Sequence, residues 1–181
     1  MSDSLDPQTP MRRVLEIFPG AQRALFRRFH IGGCASCGFQ PQETLDELCR
    51  RNSLAVAEVI AHIQSSHQQD LELQISPTEL AALRQNGPVR LLDIRSREEF
   101  EATRIEGAVL FSQPVMQEIL GHWPRTELVV IYDHRGRQSL DAAAFLLGHQ
   151  FTQVRCLRGG IDAWSVEVDP AVRRYELEYS A

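Results

Sequence analysis

The spacing of apolar residues changes near residue 70 of this 181-residue chain. Up to that point it is helical. Thr9-Pro10 reads as a cap followed by proline at the first helical position, opening a helix over 11–18 that Pro19-Gly20 breaks. A second helix is predicted over 21–29 and stops at Gly32-Gly33. Thr44 and Glu47 have the spacing of a capping box and start a third. Val56, Val59, Ile60 and Ile63 fall at i, i+3, i+4 and i+7 of a fourth.

Beyond residue 70 the pattern alternates short apolar runs with helical segments. Strands are predicted at 71–75, 89–94, 108–111, 128–132 and 154–157. Helices begin near Pro77, Arg97, Pro114 and Leu140, with Ser76 and Ser96 as caps and a second capping box from Ser96 to Glu99. Runs of Val, Ile and Leu between helices imply an α/β fold with a five-stranded, mainly parallel sheet covered by helices on both faces. The expected organisation is a flexible N-terminus over 1–8, a small all-α domain over 9–64, a polar linker over 65–70, the α/β domain over 71–166 and a tail over 167–181.

Composition narrows the function. A formal net charge of −5 argues against a nucleic-acid partner, and 43% hydrophobic with 24% charged residues is ordinary for a globular chain. No apolar run approaches the ~18 residues of a membrane helix, and the N-terminus lacks the basic start and apolar core of a secretory signal, so a cytoplasmic protein with no membrane contact is expected. Four cysteines, three of them at Cys34, Cys37 and Cys49, make no disulfide scaffold.

Cys34-Ala-Ser-Cys37, held between Gly32-Gly33 and Gly38, is the first candidate chemical site. Two cysteines at this spacing can close a disulfide, share a stabilised thiolate or supply two ligands to a metal. Cys49 would be the third ligand in the metal reading, but its place beside Leu48 on the third helix favours a core thiol. His30 and His62 leave that ligand set incomplete. The segment 9–63, with Val14-Leu-Glu-Ile-Phe-Pro19, the glycine-flanked Cys-x-x-Cys and Glu43-Thr-Leu-Asp-Glu-Leu48, resembles a small helical family associated with hybrid-cluster proteins and described as a redox-disulfide domain. The resemblance implies thiol chemistry at Cys34 and Cys37, with no assigned substrate; no cofactor is expected.

The second candidate site is the loop Asp133, His134, Arg135, Gly136, Arg137, Gln138 and Ser139, between a buried strand and an apolar helix. Strand, glycine-bearing loop and helix start bring backbone N–H groups together as an anion cradle, so a small anion is a candidate ligand. Three stretches in order are similar to the rhodanese family. They are Leu91-Leu-Asp-Ile-Arg95 with Glu98-Glu-Phe100 and Ile105-Glu-Gly-Ala108, then this loop, then Leu157-Arg-Gly-Gly-Ile-Asp-Ala-Trp164.

That resemblance implies a loop reading Cys, Arg, any residue, Gly, any residue, Arg, Ser, whose thiolate carries a persulfide. Here Asp133 stands for the Cys, His134 for the first Arg and Gln138 for the second, while Gly136 and Ser139 match. Arg135 and Arg137 keep the loop basic. Ordinary sulfurtransferase activity is therefore not expected at this loop. Ser139 reads as the cap of the following helix, Asp93 and Arg95 as scaffold contacts, and Cys156 and Trp164 as core. The ending 165–175 resembles that of rhodanese domains fused to sulfur-carrier adenylating enzymes or glutaredoxins.

Two functions follow. One is a thiol-redox or sulfur-relay protein using Cys34 and Cys37, with the rhodanese-like domain as a docking or anion-sensing module for a thiol, sulfur-carrier or redox protein. The other is a non-enzymatic protein-binding or metal-binding module.

Overall fold

The computed structural model describes residues 5–32 and 38–175. The chain forms two compact units, divided between Glu72 and Leu73.

The first unit is helical, with α1 (Met11–Ile17), α2 (Ala21–Phe29), α3 (Leu45–Arg51) and α4 (Val56–Glu72). Met11, Val14, Leu25, Leu45, Leu48, Val59 and Ile63 interlock as its core, each about 99% buried or more. Burying one such side chain stabilises the fold by about 1.5–3 kcal/mol. Thr44 and Glu47 form the capping box of α3, with the Thr44 N–H donating to the Glu47 carboxylate at 2.9 Å. Those hydrogen bonds hold the Glu47 pKa below its ordinary value.

Three features of this unit differ from the expectation. Thr9 does not cap α1: its hydroxyl accepts from the Asp6 N–H at 3.1 Å, and Pro10 is the residue before the helix. The first N–H of α1, on Met11, donates to the Glu43 carbonyl at 2.8 Å, so the chain itself takes the place of a side-chain cap. Residues 5–8 are tied down: Leu5 enters the core and the Pro7 carbonyl accepts from the Asp46 N–H at 2.8 Å. Residues 65–70 are no irregular linker but the continuation of α4, which runs on through Leu71 and Glu72. That stretch is polar yet holds no proline or glycine, and Asp70 is buried in an ion pair with Arg23.

The second unit carries a five-stranded sheet in the order β1-β5-β4-β2-β3, with every neighbouring pair parallel. The strands are β1 (Gln74–Ile75), β2 (Arg90–Asp93), β3 (Ala108–Leu110), β4 (Val129–Tyr132) and β5 (Val154–Leu157). Between and after them lie α5 (Pro77–Asn86), α6 (Arg97–Ala102), α7 (Gln113–His122), α8 (Ser139–Gly148) and α9 (Gly160–Glu167). Along β4 the side chains alternate between two apolar layers. Val129 and Ile131 pack with Ile119 of α7 and Ala143 of α8, while Val130 and Tyr132 pack with Leu80 of α5 and Trp164 of α9. Both faces of the sheet are thus covered, which is why its strands read as unbroken apolar runs. Among the described residues no helix is long and apolar enough to cross a membrane.

A proline at residue 65 separates the helical and linker descriptions of 65–70. Ser65→Pro removes a hydrogen bond from the interior of α4 and should lower the unfolding free energy by about 3 kcal/mol, read by urea titration. A near-neutral result would mean that the segment is irregular.

Candidate functional site

The ends of β2 and β4 are neighbours in the sheet, and the segments that follow them face one pocket of about 300 Å³. Ile94, Arg95, Ser96 and Glu99 line it from the β2 side, and Asp133, His134, Arg135, Arg137 and Gln138 from the β4 side. This is the crevice at the carboxyl ends of parallel strands where α/β proteins usually bind ligands.

Asp133 organises the β4 side. Its Oδ1 accepts from the backbone N–H groups of Arg135, at 2.8 Å, and of Gly136; its Oδ2 accepts from that of Ser139 at 2.8 Å. The side chain is buried. The loop's converging N–H groups therefore hold a carboxylate from their own chain. Ser139 is not the cap of α8: it is the first residue of the helix, after Gln138, and its Oγ is buried without a hydrogen-bond partner. The carboxylate of Asp133 instead takes the N–H of Ser139 itself, the first of the helix.

The loop is held from behind by α9. The Ile161 N–H donates to the Asp133 carbonyl at 2.9 Å, and the Asp162 N–H to the His134 carbonyl at 3.1 Å. Backbone meets backbone here. A Cβ on Gly136 would lie 2.8 Å from the Gly159 nitrogen and 2.9 Å from the Leu157 oxygen. A Cβ on Gly160 would run into the carbonyls of Asp133 and His134, and both glycines have positive φ, at +76° and +62°.

On the β2 side, Arg95 and Asp93 form a buried ion pair, with Nη2 2.6 Å and Nε 3.0 Å from the carboxylate. Arg95 Nη2 also donates to the Thr103 carbonyl at 2.7 Å. Burial opposes the guanidinium charge, but the hydrogen bonds to Asp93 and Tyr175 outweigh it and keep Arg95 charged.

Sequence reasoning missed Tyr175, which brings the tail into the site. Its ring stacks on that of His134 with centroids 4.4 Å apart and planes within 7°. Its hydroxyl donates to Glu99 Oε1 at 2.5 Å and accepts from Arg95 Nη1 at 2.7 Å. Burial and the hydrogen bond to Glu99 push the Tyr175 pKa up to about 12. Burial alone would raise the pKa of Glu99; hydrogen bonds from Tyr175 and Ser96 outweigh it and hold Glu99 lower than usual. Glu99 was legible as half of a capping box and as part of the Glu98-Glu-Phe100 stretch, and a tyrosine eight residues beyond the last helix carried no signal of its own.

Of the seven loop positions, Asp133, His134, Arg135, Arg137 and Gln138 line the pocket and the N–H groups of Gly136 and Ser139 bond the Asp133 carboxylate, whereas Cys34 and Cys37 lie outside the described residues. Cys49 is a core residue whose thiol pKa is raised by burial and by Asp46. Cys156 is buried in β5. His62 bonds the Ala24 carbonyl at 3.1 Å, and His30 ends α2 in the left-handed region. Among the described residues no three His, Cys, Asp or Glu side chains group to hold a metal ion.

Residues 76–167 match the model of the rhodanese-like domain. Over 91 residues the chain is 31% identical to the thiosulfate sulfurtransferase GlpE of Ectopseudomonas mendocina, a match covering 50% of this chain and 83% of that protein. Over 180 residues it is 23% identical to the adenylyltransferase and sulfurtransferase UBA4 of Candida albicans, covering 94% of this chain and 41% of that protein. The crystal structure of reduced Bacillus anthracis CoADR-RHD shares the fold, with a TM-score of 0.50 at 18% identity over 65% of this chain and 20% of that one.

Two measurements check this geometry. Asp133→Asn turns one acceptor into an NH₂ group facing backbone N–H donors, and Gly160→Ala drives a methyl group into the loop carbonyls. Urea unfolding should show losses of about 1–3 kcal/mol for the first and about 2 kcal/mol or more for the second. Unchanged midpoints would refute the cradle and the close approach respectively.

Alkaline titration reads the strap. Because the folded pKa of Tyr175 lies above that of a free tyrosine, its stabilising contribution is complete below about pH 10 and is lost as pH rises through about 12. Tyr175→Phe should remove that component of the alkaline stability loss. An identical alkaline profile in the variant would contradict the buried hydroxyl.

Proposed function

The chain belongs to the rhodanese-like domain family, and from that premise we propose that it works in sulfur relay, with its thiol chemistry at Cys34 and Cys37 and the rhodanese-like unit as a docking or anion-sensing module. The observation that carries this reading is the Asp133 carboxylate on the N–H groups of Arg135, Gly136 and Ser139. A persulfide anion formed at this loop would need those same donors. Asp133 stands where the family pattern has a cysteine, and a carboxylate neither attacks the outer sulfur of a donor nor carries it.

The sulfurtransferase names of GlpE and UBA4 support a sulfur-relay setting for the scaffold. The partner that fits is a thiol-bearing or sulfur-carrier protein, with a small anion at the exposed Arg135 and Arg137 as the alternative occupant of the rim. A Cys-x-x-Cys pair supplies what the loop lacks: one thiolate to take a sulfane sulfur as a persulfide, and a second to attack its inner sulfur, closing the disulfide and releasing sulfide.

The test compares wild type with Cys34→Ser/Cys37→Ser and Asp133→Ala. Wild type should show no thiosulfate-to-cyanide transfer that depends on Asp133, and any transfer present should vanish in the double-serine variant. Alkylation and mass measurement should detect a reversible Cys34–Cys37 disulfide on mild oxidation. Transfer that survives the loss of both cysteines, or a pair that never oxidises, would overturn the reading.

A further inference from the structure

Tyr175 occupies its place as a ligand would. Arg95 is held independently of Tyr175, because Nε and Nη2 are committed to Asp93 and Thr103. One direction remains, from Nη1. Glu99 is fixed in the same way, because its Oε2 accepts from the Ser96 N–H at 3.0 Å as part of the α6 capping box, leaving Oε1. The remaining donor and the remaining acceptor meet at one point, the Tyr175 hydroxyl. A hydroxyl is the group that can both accept from a guanidinium and donate to a carboxylate.

Beside that point the His134 ring offers a flat face, and His134 Nδ1 is buried with no hydrogen-bond partner. The His134 main chain is pinned by the Asp162 N–H of α9, so the face is presented rather than adaptable. The segment that delivers Tyr175 is attached more lightly than the site that receives it. Val172 packs in the core, the Ser165 hydroxyl donates to the Val172 carbonyl at 2.6 Å, and Arg174 pairs with Asp162 across an exposed surface. Exposed ion pairs of this kind contribute little.

We propose that the crevice bounded by His134, Arg95 and Glu99 is a binding site for a phenol ring, such as a tyrosyl side chain, which the chain's own Tyr175 fills in cis and from which a partner's tyrosine displaces it. The ring is read by stacking and the hydroxyl by two charge-assisted hydrogen bonds to groups held rigid in advance. A phenylalanine in the same place leaves Arg95 Nη1 and Glu99 Oε1 without partners. This gives the docking role proposed above a ligand chemistry and rests on that role. The probe is read at His134 and the thiols at Cys34 and Cys37, so failure of one is distinct from failure of the other.

The experiment uses the full chain with Tyr175→Ala and measures acylation of His134 by diethylpyrocarbonate, located by peptide mass. His134 should react at least about tenfold faster than in wild type once the stacked ring is gone. Millimolar N-acetyl-tyrosinamide should restore protection, and N-acetyl-phenylalaninamide should need about tenfold more, the effect of losing hydrogen bonds to charged groups. Tyr175→Phe provides a variant that keeps the ring: it should react at an intermediate rate and be protected by the same tyrosyl probe. Equal His134 reactivity in all three proteins, no protection by N-acetyl-tyrosinamide, or equal protection by the phenylalanine analogue would each overturn the proposal.

Discussion

The contact between the 133–139 loop and the first turn of α9 governs the rest of the site. It is an approach of main chain to main chain, possible only because Gly136 and Gly160 carry no Cβ. Two N–H groups of α9 take the carbonyls of Asp133 and His134, so the loop's acceptors face its scaffold. Its donors are left to converge on the other side. A cluster of inward N–H groups is unfavourable unless something accepts from them. The Asp133 carboxylate does so, and its negative charge suits both the donors and the start of α8. Closing signature, central loop and helix start are therefore one device, although they are distant in sequence.

A second pairing gives the pocket its other wall. Asp93 and Arg95 follow one another at the end of β2 and neutralise each other in a dry environment, where an unpaired charge would be strongly destabilising. Because the guanidinium is a planar fork, using its Nε and Nη2 edge on Asp93 fixes the direction of Nη1. The orientation of one donor in the pocket is thereby set by an interaction buried beneath it. Glu99 is set by helix capping in the same indirect manner. Binding geometry here comes from scaffold contacts that the sequence shows as scaffold contacts.

The sequence made the elements legible wherever capping and periodicity agreed. Thr44 and Ser96 open helices as their boxes predict, Ser76 opens one as a cap, and the strands at β2, β4 and β5 are found where apolar runs lie. It misled where polarity was taken for irregularity. Residues 65–70 are polar because α4 exposes Ser65, Gln68 and Gln69 and pairs the buried Asp70 with Arg23, and a helix needs no apolar face on its exposed side. Gly159-Gly160 of the closing signature starts α9, with Gly159 in the left-handed region as the cap. Within the site, the loop was legible as a set of donors, and Asp133 as an unusual residue among them. Tyr175 was not, since its role depends on where 168–175 folds back, and no local pattern encodes that path.

The position of Asp133 also bears on what can be inferred from it. A polar residue merely tolerated in an open loop would turn to water, yet this carboxylate is 4% exposed and accepts three main-chain hydrogen bonds. Removing it would leave the buried Ser139 N–H and the part-buried N–H groups of Arg135 and Gly136 without this acceptor, at about 1–3 kcal/mol for the buried one. The fold alone therefore gives a reason to keep Asp133, whether or not the loop binds anything. Chemistry in this unit has to be sought in groups the fold does not use up. Those are the directions left over at Arg95 and Glu99, the face of His134, and the exposed guanidinium groups of Arg135 and Arg137 at the rim. Each can recognise a ligand by charge, hydrogen bonding or stacking. In this unit Asp133 spends its carboxylate on the loop's own N–H groups, and the groups left facing the pocket are held in place by the scaffold beneath them.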